Sequence, residues 1–308
     1  MNDTLNKISA VIVSFNPNMD SFSRIIEETI VQVDTIIIVD NGSEVSTVNK
    51  LNKIALENSD VCLIKLPVNV GIASAQNSGI KEAFKNRSTH ILFLDHDSIP
   101  DKCMVKNLLD VEKELLAKGK KVGVIGPTCI DRRTKTASGF VKKKGMFISR
   151  IYPEANKGYV ETDFLISSGS LSRISVIKDV GYMNDGYFID HVDTEWCFRA
   201  INCGYKLYGS AKALLNHSLG ENVTRIWLLR WREIPQHKSF RYYYIFRNTL
   251  AMIRNTKMSF SWKVTHIYRL MLFLMFFSII GNERKSNIKM IYRGIKDNTK
   301  NITGGYKD

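Results

Sequence analysis

Asp95 and Asp97 stand one residue apart, with His96 between them, directly after the apolar run 90–94. On a tight turn, two such carboxylates can share a divalent cation with a diphosphate. The cation neutralises the adjoining charges and the leaving group that forms from them. Asp-x-Asp alone is common, and its place after a strand-like run is what gives it weight. Asp190, Asp193 and Glu195 form a second acidic group about a hundred positions later. Acids at a helix start are favoured by the dipole alone, yet attack by a hydroxyl also needs a general base, for which a carboxylate is the natural choice. His217 follows a further strand-like run, where a histidine is either structural or a ligand. The small residues of 69–79, with Asn69, Gly71 and Asn77 among them, let a helix start press against a sheet and bring backbone close to a ligand.

These groups need a scaffold. Runs 8–15, 35–39, 61–66, 90–94 and 122–125 are short, apolar and rich in β-branched residues, so they read as buried strands. Segments 19–33, 45–58, 73–86 and 104–117 between them carry helical spacing. That alternation predicts βαβ units, a mostly parallel central sheet flanked by helices, and ligands beyond the carboxyl ends of the strands. Three runs end there in polar clusters: Ser14-Phe15-Asn16-Pro17, Asp40-Asn41-Gly42-Ser43 and Asp95-His96-Asp97. Any one cluster could be turn and cap chemistry, but three on one edge mark a site. Beyond, 126–151 reads as a loop or hairpin and 163–175 as a strand in which Gly169 permits close approach. Segment 193–203 reads as a helix closed by Gly204, and 205–215 as a strand.

The chain has 308 residues, 44% of them hydrophobic, enough for a real core. Five scattered cysteines without a C-x-x-C pair argue against a disulfide framework or zinc site and suit a reducing cytosol. The N-terminus shows no secretory pattern. Charge divides the chain in two. Residues 1–220 carry +2, whereas 221–308 hold 17 Lys/Arg against 5 Asp/Glu, a net +12. The expected organisation is a catalytic domain over 1–220 and a basic, aromatic-rich helical region over 221–308, facing an anionic surface. The uncharged run 270–280 is eleven residues long, short of the ~20 that span a bilayer. It suits a helix lying in the membrane interface or packed in the core. A nucleic-acid-binding protein is the competing reading of the basic third. The near-neutral front and its acidic sheet edge argue against nucleic acid. A nucleotidyltransferase would want a Gly-rich basic phosphate loop, which 14–20 lacks.

Taken in order, Val11-Ile12-Val13-Ser14-Phe15-Asn16, Val39-Asp40-Asn41-Gly42-Ser43, the alternation Asn69-x-Gly71-x-Ala73-x-Ala75-x-Asn77-x-Gly79, Asp95-x-Asp97, and Asp193-x-Glu195-Trp196-Cys197-x-Arg199 resemble the glycosyltransferases of family 2 and their GT-A fold. Phe188-Ile189-Asp190-x-Val192-Asp193, His217-Ser218-Leu219-Gly220, Arg241-Tyr242-Tyr243 and Arg247-Asn248 resemble in particular its bacterial rhamnosyltransferases. The resemblance implies that Asp40 meets the N3–H of a pyrimidine base, Asp95 lies near the pentose, and Asp97 binds Mg²⁺ or Mn²⁺ with help from His217. It makes Asp193 the general base and adds Asn16, Asn69, Gly71, Asn77 and His96 to the nucleotide-sugar contacts. Asp190, Gly169, Glu195, Trp196 and Arg199 are secondary candidates. Leu229-Arg230-Trp231 lacks the Gln of the processive Q-x-x-R-W signature, so transfer of one or a few sugars is expected. The implied reaction is inverting transfer of L-rhamnose from dTDP-rhamnose, or of a hexose from another UDP or dTDP donor. The implied acceptor is a lipid-linked saccharide of O-antigen-type polysaccharide synthesis, at the inner face of the cytoplasmic membrane.

Overall fold

The computed structural model describes residues 6–131, 134–145, 147–154, 157–217, 223–227, 231–235, 238–279 and 283–306. The five apolar runs become strands because each can bury both faces under helices. These are β1 (Ile8–Ser14), β2 (Thr35–Asp40), β3 (Val61–Lys65), β4 (His90–Asp95) and, after the two-residue β5 (Ile99–Pro100), β6 (Val122–Asp131). Every residue of β1 is buried. Helices α1 (Met19–Ile30), α2 (Val45–Glu57), α3 (Ile72–Lys85) and α4 (Met104–Ala117) cover the strands. Asn18 caps α1 by accepting from the Ser21 N–H at 3.0 Å.

A short hairpin follows, β7 (Phe140–Lys144) with β8 (Phe147–Ile151), and then β9 (Tyr159–Thr162), β10 (Leu171–Arg173), α5 (Ile174–Val180), α6 (Val192–Asn202) and β11 (Lys206–His217). The main sheet runs β3-β2-β1-β4-β10-β6-β11-β5, with β9 also on β11. Strands β1 to β4 and the β6–β11 pair are parallel, while β10, β5 and β9 run against their neighbours. Two apolar cores pack the opposite faces. One is centred on Val11, Ile37, Phe93 and Trp196, the other on Ile12, Ile38, Leu92 and Leu108.

Three expectations change. Strand β6 does not stop at Ile125 but reaches Asp131. Pro127 sits where the ladder to β11 is already interrupted, between the pairs Gly209–Gly126 and Leu214–Thr128, so its missing N–H costs no bond there. Segment 163–175 is not one strand, since only Leu171–Arg173 pairs and α5 begins at Ile174. Residues before β10 instead cross the carboxyl edge of the sheet. Gly169 turns there at φ +79°, and its N–H donates to the Phe93 carbonyl at 2.7 Å.

Beyond β11 the region is not wholly helical. A second hairpin, β12 (Val223–Trp227) with β13 (Trp231–Pro235), precedes α7 (Ser239–Asn255), α8 (Phe260–Ile279) and α9 (Arg284–Thr299). Val223, Thr224, Ile226 and Trp227, with Trp231 and Ile234, are β-branched or aromatic residues that favour strands, a signal hidden by the basic, aromatic composition. The apolar run 270–280 does two things at once. Leu270 and Phe277 pack with Tyr242 and Ile291, whereas Met271, Leu272, Leu274 and Met275 are exposed. Among the described residues, no helix is long and apolar enough to cross a membrane.

Candidate active site

The carboxyl ends of β1 and β2 form one wall. Their last residues, Ser14 and Asp40, are register partners, and both are buried. Asp40 Oδ2 accepts from the Ser43 N–H at 3.2 Å, but among the described residues Oδ1 has no partner, and neither has Ser14 Oγ. Buried polar atoms are rarely left unbonded, so this pair points to a ligand. The loops around them are locked by amides. Asn41 donates to Asn69 Oδ1 at 3.1 Å and accepts from the Val70 N–H at 2.9 Å, and Asn69 Oδ1 also takes the Gly71 N–H at 3.0 Å. Gly71 then caps α3 at φ +87°, with the Ile72 N–H donating to the Phe188 carbonyl. Asn16, itself at φ 44°, receives the Glu44 N–H at 2.9 Å and donates its own N–H to Ser43 Oγ. It thereby ties the β1 loop to the β2 loop.

At the end of β4, the Asp95 N–H donates to Ser168 Oγ and the His96 ring bonds the Val13 carbonyl through Nδ1. Asp97 is exposed and accepts from Ser98 Oγ at 3.2 Å. Strand β11 returns beside this turn, pairing Asn216 with Ile99. The next residue, His217, pairs with Asp131 of β6. The His217 side chain and Ser218-Leu219-Gly220 lie outside what is described. Among the described residues, no three acidic, His or Cys side chains cluster as a ready metal cage. Two carboxylates on an open turn are nevertheless a donor set that suits a cation whose remaining ligands come from a diphosphate.

Asp193 stands across the cleft, in the first turn of α6. It accepts from the Thr194 N–H at 2.7 Å and from the Ser167 backbone, and burial pushes its pKa above the usual carboxylate range despite those bonds. A carboxylate so placed holds its proton more strongly than an ordinary Asp. The turn that presents it is strained: Asp190 and His191 are both left-handed, at φ 63° and 65°. Helix α7 holds that turn in place. Arg241 pairs with the Asp190 carboxylate, Asn248 donates to the Ile189 and Asp190 carbonyls, and Thr249 bonds His191 Nε2 at 2.8 Å. Burial pushes the His191 pKa down to about 4, so the ring is neutral near pH 7.

Several candidates turn away from the cleft. The Asn77 amide bonds Met183 in both directions and Asp185 at 2.6 Å, so both its donors are engaged within the protein. Glu195 and Arg199 form a paired strut, and Arg199 also reaches the Val180 and Tyr182 carbonyls. Trp196 Nε1 donates to the Gly181 carbonyl. Conversely, the sequence reading passed over Gln76. Its Nε2 donates to Ser167 Oγ at 3.2 Å and its buried Oε1 lacks a partner among the described residues. One helical turn after Ile72 on a small-residue helix, it had a positional signal but no distinguishing spacing.

The profile of Glycosyl transferase family 2 matches residues 9–181. The chain is 28% identical over 305 residues to the dTDP-rhamnosyl transferase RfbF of Shigella flexneri, covering 97% of this chain and 98% of that one. Among solved structures it is similar to GalNAc-T7 with UDP, GalNAc and Mn²⁺ at a TM-score of 0.63 and 14% identity, over 96% of this chain and 57% of that longer one. It is likewise similar to S. aureus TarS 1-349 in complex with UDP-GlcNAc, at a TM-score of 0.60 and 15% identity, over 96% and 81% of the two chains. The fold is the GT-A fold of nucleotide-sugar transferases.

Proposed function

The chain belongs to glycosyl transferase family 2, and on that footing we propose that it transfers L-rhamnose from dTDP-rhamnose, with inversion, to a lipid-linked saccharide. The observation that carries the nucleotide part is the unpartnered, buried Oδ1 of Asp40 at the carboxyl edge of β2. An acceptor oxygen so placed suits the N3–H of a pyrimidine. Likeness to the Shigella flexneri enzyme over nearly its whole length favours dTDP-rhamnose. A UDP-hexose is the second reading, favoured by the UDP and UDP-GlcNAc of the two structural relatives.

In this proposal Asp193 takes the proton of the attacking acceptor hydroxyl, and the nucleoside diphosphate departs from the opposite face of the sugar. Asp97 and His217 would hold Mg²⁺ or Mn²⁺, which when bound supplies positive charge for the departing diphosphate, and Asp95 would lie near the pentose. Asp40, Ser14 and the Asn41–Asn69 latch orient the nucleotide, so positioning and charge stabilisation carry the rate. Residues 1–220 act as the catalytic domain and 221–308 as a basic extension whose α7 braces the turn before Asp193. The +12 charge of that extension and the bare apolar side chains of α8 support peripheral association with the inner face of the cytoplasmic membrane.

A panel of nucleotide-sugars incubated with the protein and Mn²⁺ tests the donor. Slow hydrolysis of dTDP-rhamnose above the others is expected, and preference for a UDP-hexose would replace it. Loss of donor binding in Asp193→Asn, with turnover intact, would sink the assignment of the base.

A further inference from the structure

Residues 167–170 cross the carboxyl edge of the sheet as a strap, tied in turn to each part of the site. Gly169 and Ser170 are fixed on β4: the Gly169 N–H donates to the Phe93 carbonyl at 2.7 Å, and the Ser170 carbonyl accepts the Phe93 N–H at 2.9 Å. Ser168 Oγ accepts the Asp95 N–H at 3.1 Å. Ser167 and Asp193 border one cavity of about 20 Å³, and the Ser167 backbone bond to that carboxylate favours its ionised form. Two adjacent serines therefore span the interval between the base and the acidic turn.

The two ends of the strap are held unequally. Ser168 is buried and anchored to β4, whereas Ser167 is half-buried, and its hydroxyl is held at 3.2 Å by Nε2 of Gln76 on α3. Gln76 is only 3% exposed, and among the described residues its Oε1 has no partner. A buried amide that makes one bond and leaves an acceptor unbonded lowers stability, where a methionine of similar volume would not. Its value to the fold is therefore small, and its one bond leads to the strap.

We infer that Gln76 is a positioning residue: by holding Ser167 it fixes the strap, and so sets Asp193 at its distance from the acidic turn that takes the donor. This role rests on the reading of Asp193 as the base of a sugar transfer. The other groups around Asp193 are held from elsewhere. Asp190 is paired with Arg241 of α7, and Cys197 lies one turn along α6 with its thiol on the Leu165 carbonyl. His191 bonds Thr249 of α7 and meets His266 of α8 edge-on. None of these contacts passes through Gln76, so its loss should reach Asp193 by way of Ser167.

The test uses the full chain, Mn²⁺ and the nucleotide-sugar it hydrolyses fastest, with water in place of the acceptor. Gln76→Met should lower kcat roughly ten- to a hundredfold, as a small misplacement of a reacting group does, with donor KM changed less than about twofold. The acid limb of its kcat–pH profile should move up by about one unit, the effect of one hydrogen bond lost from a carboxylate. Its urea midpoint should be no lower than the parent's. Ser167→Ala should show the same fall in kcat, and Gln76→Met should add nothing to it. A second readout needs no turnover. In the ¹⁵N-labelled parent the Ser167 amide should titrate with Asp193, a response absent in Asp193→Asn and moved to higher pH in Gln76→Met.

Unchanged kcat in Gln76→Met, a rise in donor KM alone, or additive losses in the double variant overturns the role. A parent that loses turnover in Asp193→Asn, but whose Ser167 amide titrates alike with and without Gln76, keeps its transferase reading and loses this one. A parent that hydrolyses no nucleotide-sugar, yet whose Ser167 amide answers to both Asp193 and Gln76, does the reverse.

Discussion

Arg241 grips Asp190 with two bonds, Nη2 to Oδ1 at 2.5 Å and Nε to Oδ2 at 3.3 Å, across 51 residues of chain. The contact fixes the first of two consecutive left-handed residues immediately before the helix that carries Asp193. Such conformations cost on the order of 1–3 kcal/mol each and persist only where surroundings enforce them. The turn before Asp193 is therefore held by α7, from far along the chain.

Removing that brace should cost both stability and rate. Arg241→Ala leaves Asp190 largely buried without its cation. Because the Arg241 side chain is itself 33% exposed, the loss should be roughly 2 kcal/mol, below the ~3–5 of a fully buried pair. The midpoint of urea unfolding reads the first effect. A fall in kcat larger than any rise in donor KM reads the second.

Asp193→Asn should be inactive yet no less stable than the parent at pH 8. The folded pKa of Asp193 is raised by burial, so its ionised form is disfavoured in the fold. The stabilising contribution of the protonated form is present below the unfolded pKa and is lost as pH rises through the folded one. A neutral amide escapes that loss. Transfer by the parent should correspondingly decline, as pH falls, above the ~4 of an ordinary Asp. Paired melting curves at pH 5 and pH 8 check the sign: a variant less stable than the parent at pH 8 would contradict it.

Arg199→Lys tests the reading of Glu195 and Arg199 as a strut. Lysine cannot bond Glu195 twice and also reach two carbonyls. Stability should fall by about 1–3 kcal/mol, while kcat per folded molecule stays close to the parent. A selective loss of kcat with unchanged unfolding would instead make Glu195 part of the chemistry.

Gly71→Ala should disable the donor loop. A Cβ there would lie 2.5 Å from the Phe188 carbonyl oxygen and 2.8 Å from its Cα, at a φ of +87° that L-residues avoid. Backbone cannot yield cheaply, so a loss above about 2 kcal/mol and weaker nucleotide binding are expected. Differential scanning calorimetry with and without dTDP reads both, and an unchanged melt would refute the crowding argument.

The parallel half of the sheet, the acidic turn after β4 and the helix of Asp193 are all legible in the sequence. Short β-branched runs, helical periods and strand-end polar residues are local patterns, and local patterns survive in one dimension. Segment 163–175 was misread because β10 depends on neighbours from both halves of the sheet, Leu92 on one side and Ile125 on the other. Asn77 and Gln76 show the same limit at the site. They are adjacent in sequence, yet helix phase turns the Asn77 amide to Met183 and Asp185 and leaves the Gln76 oxygen buried without a partner. The acidic pair at Asp95 and Asp97 is a matter of spacing and could be found by eye. That Arg241 should brace the turn before Asp193 depends on elements far apart in the chain that meet only when the cores close.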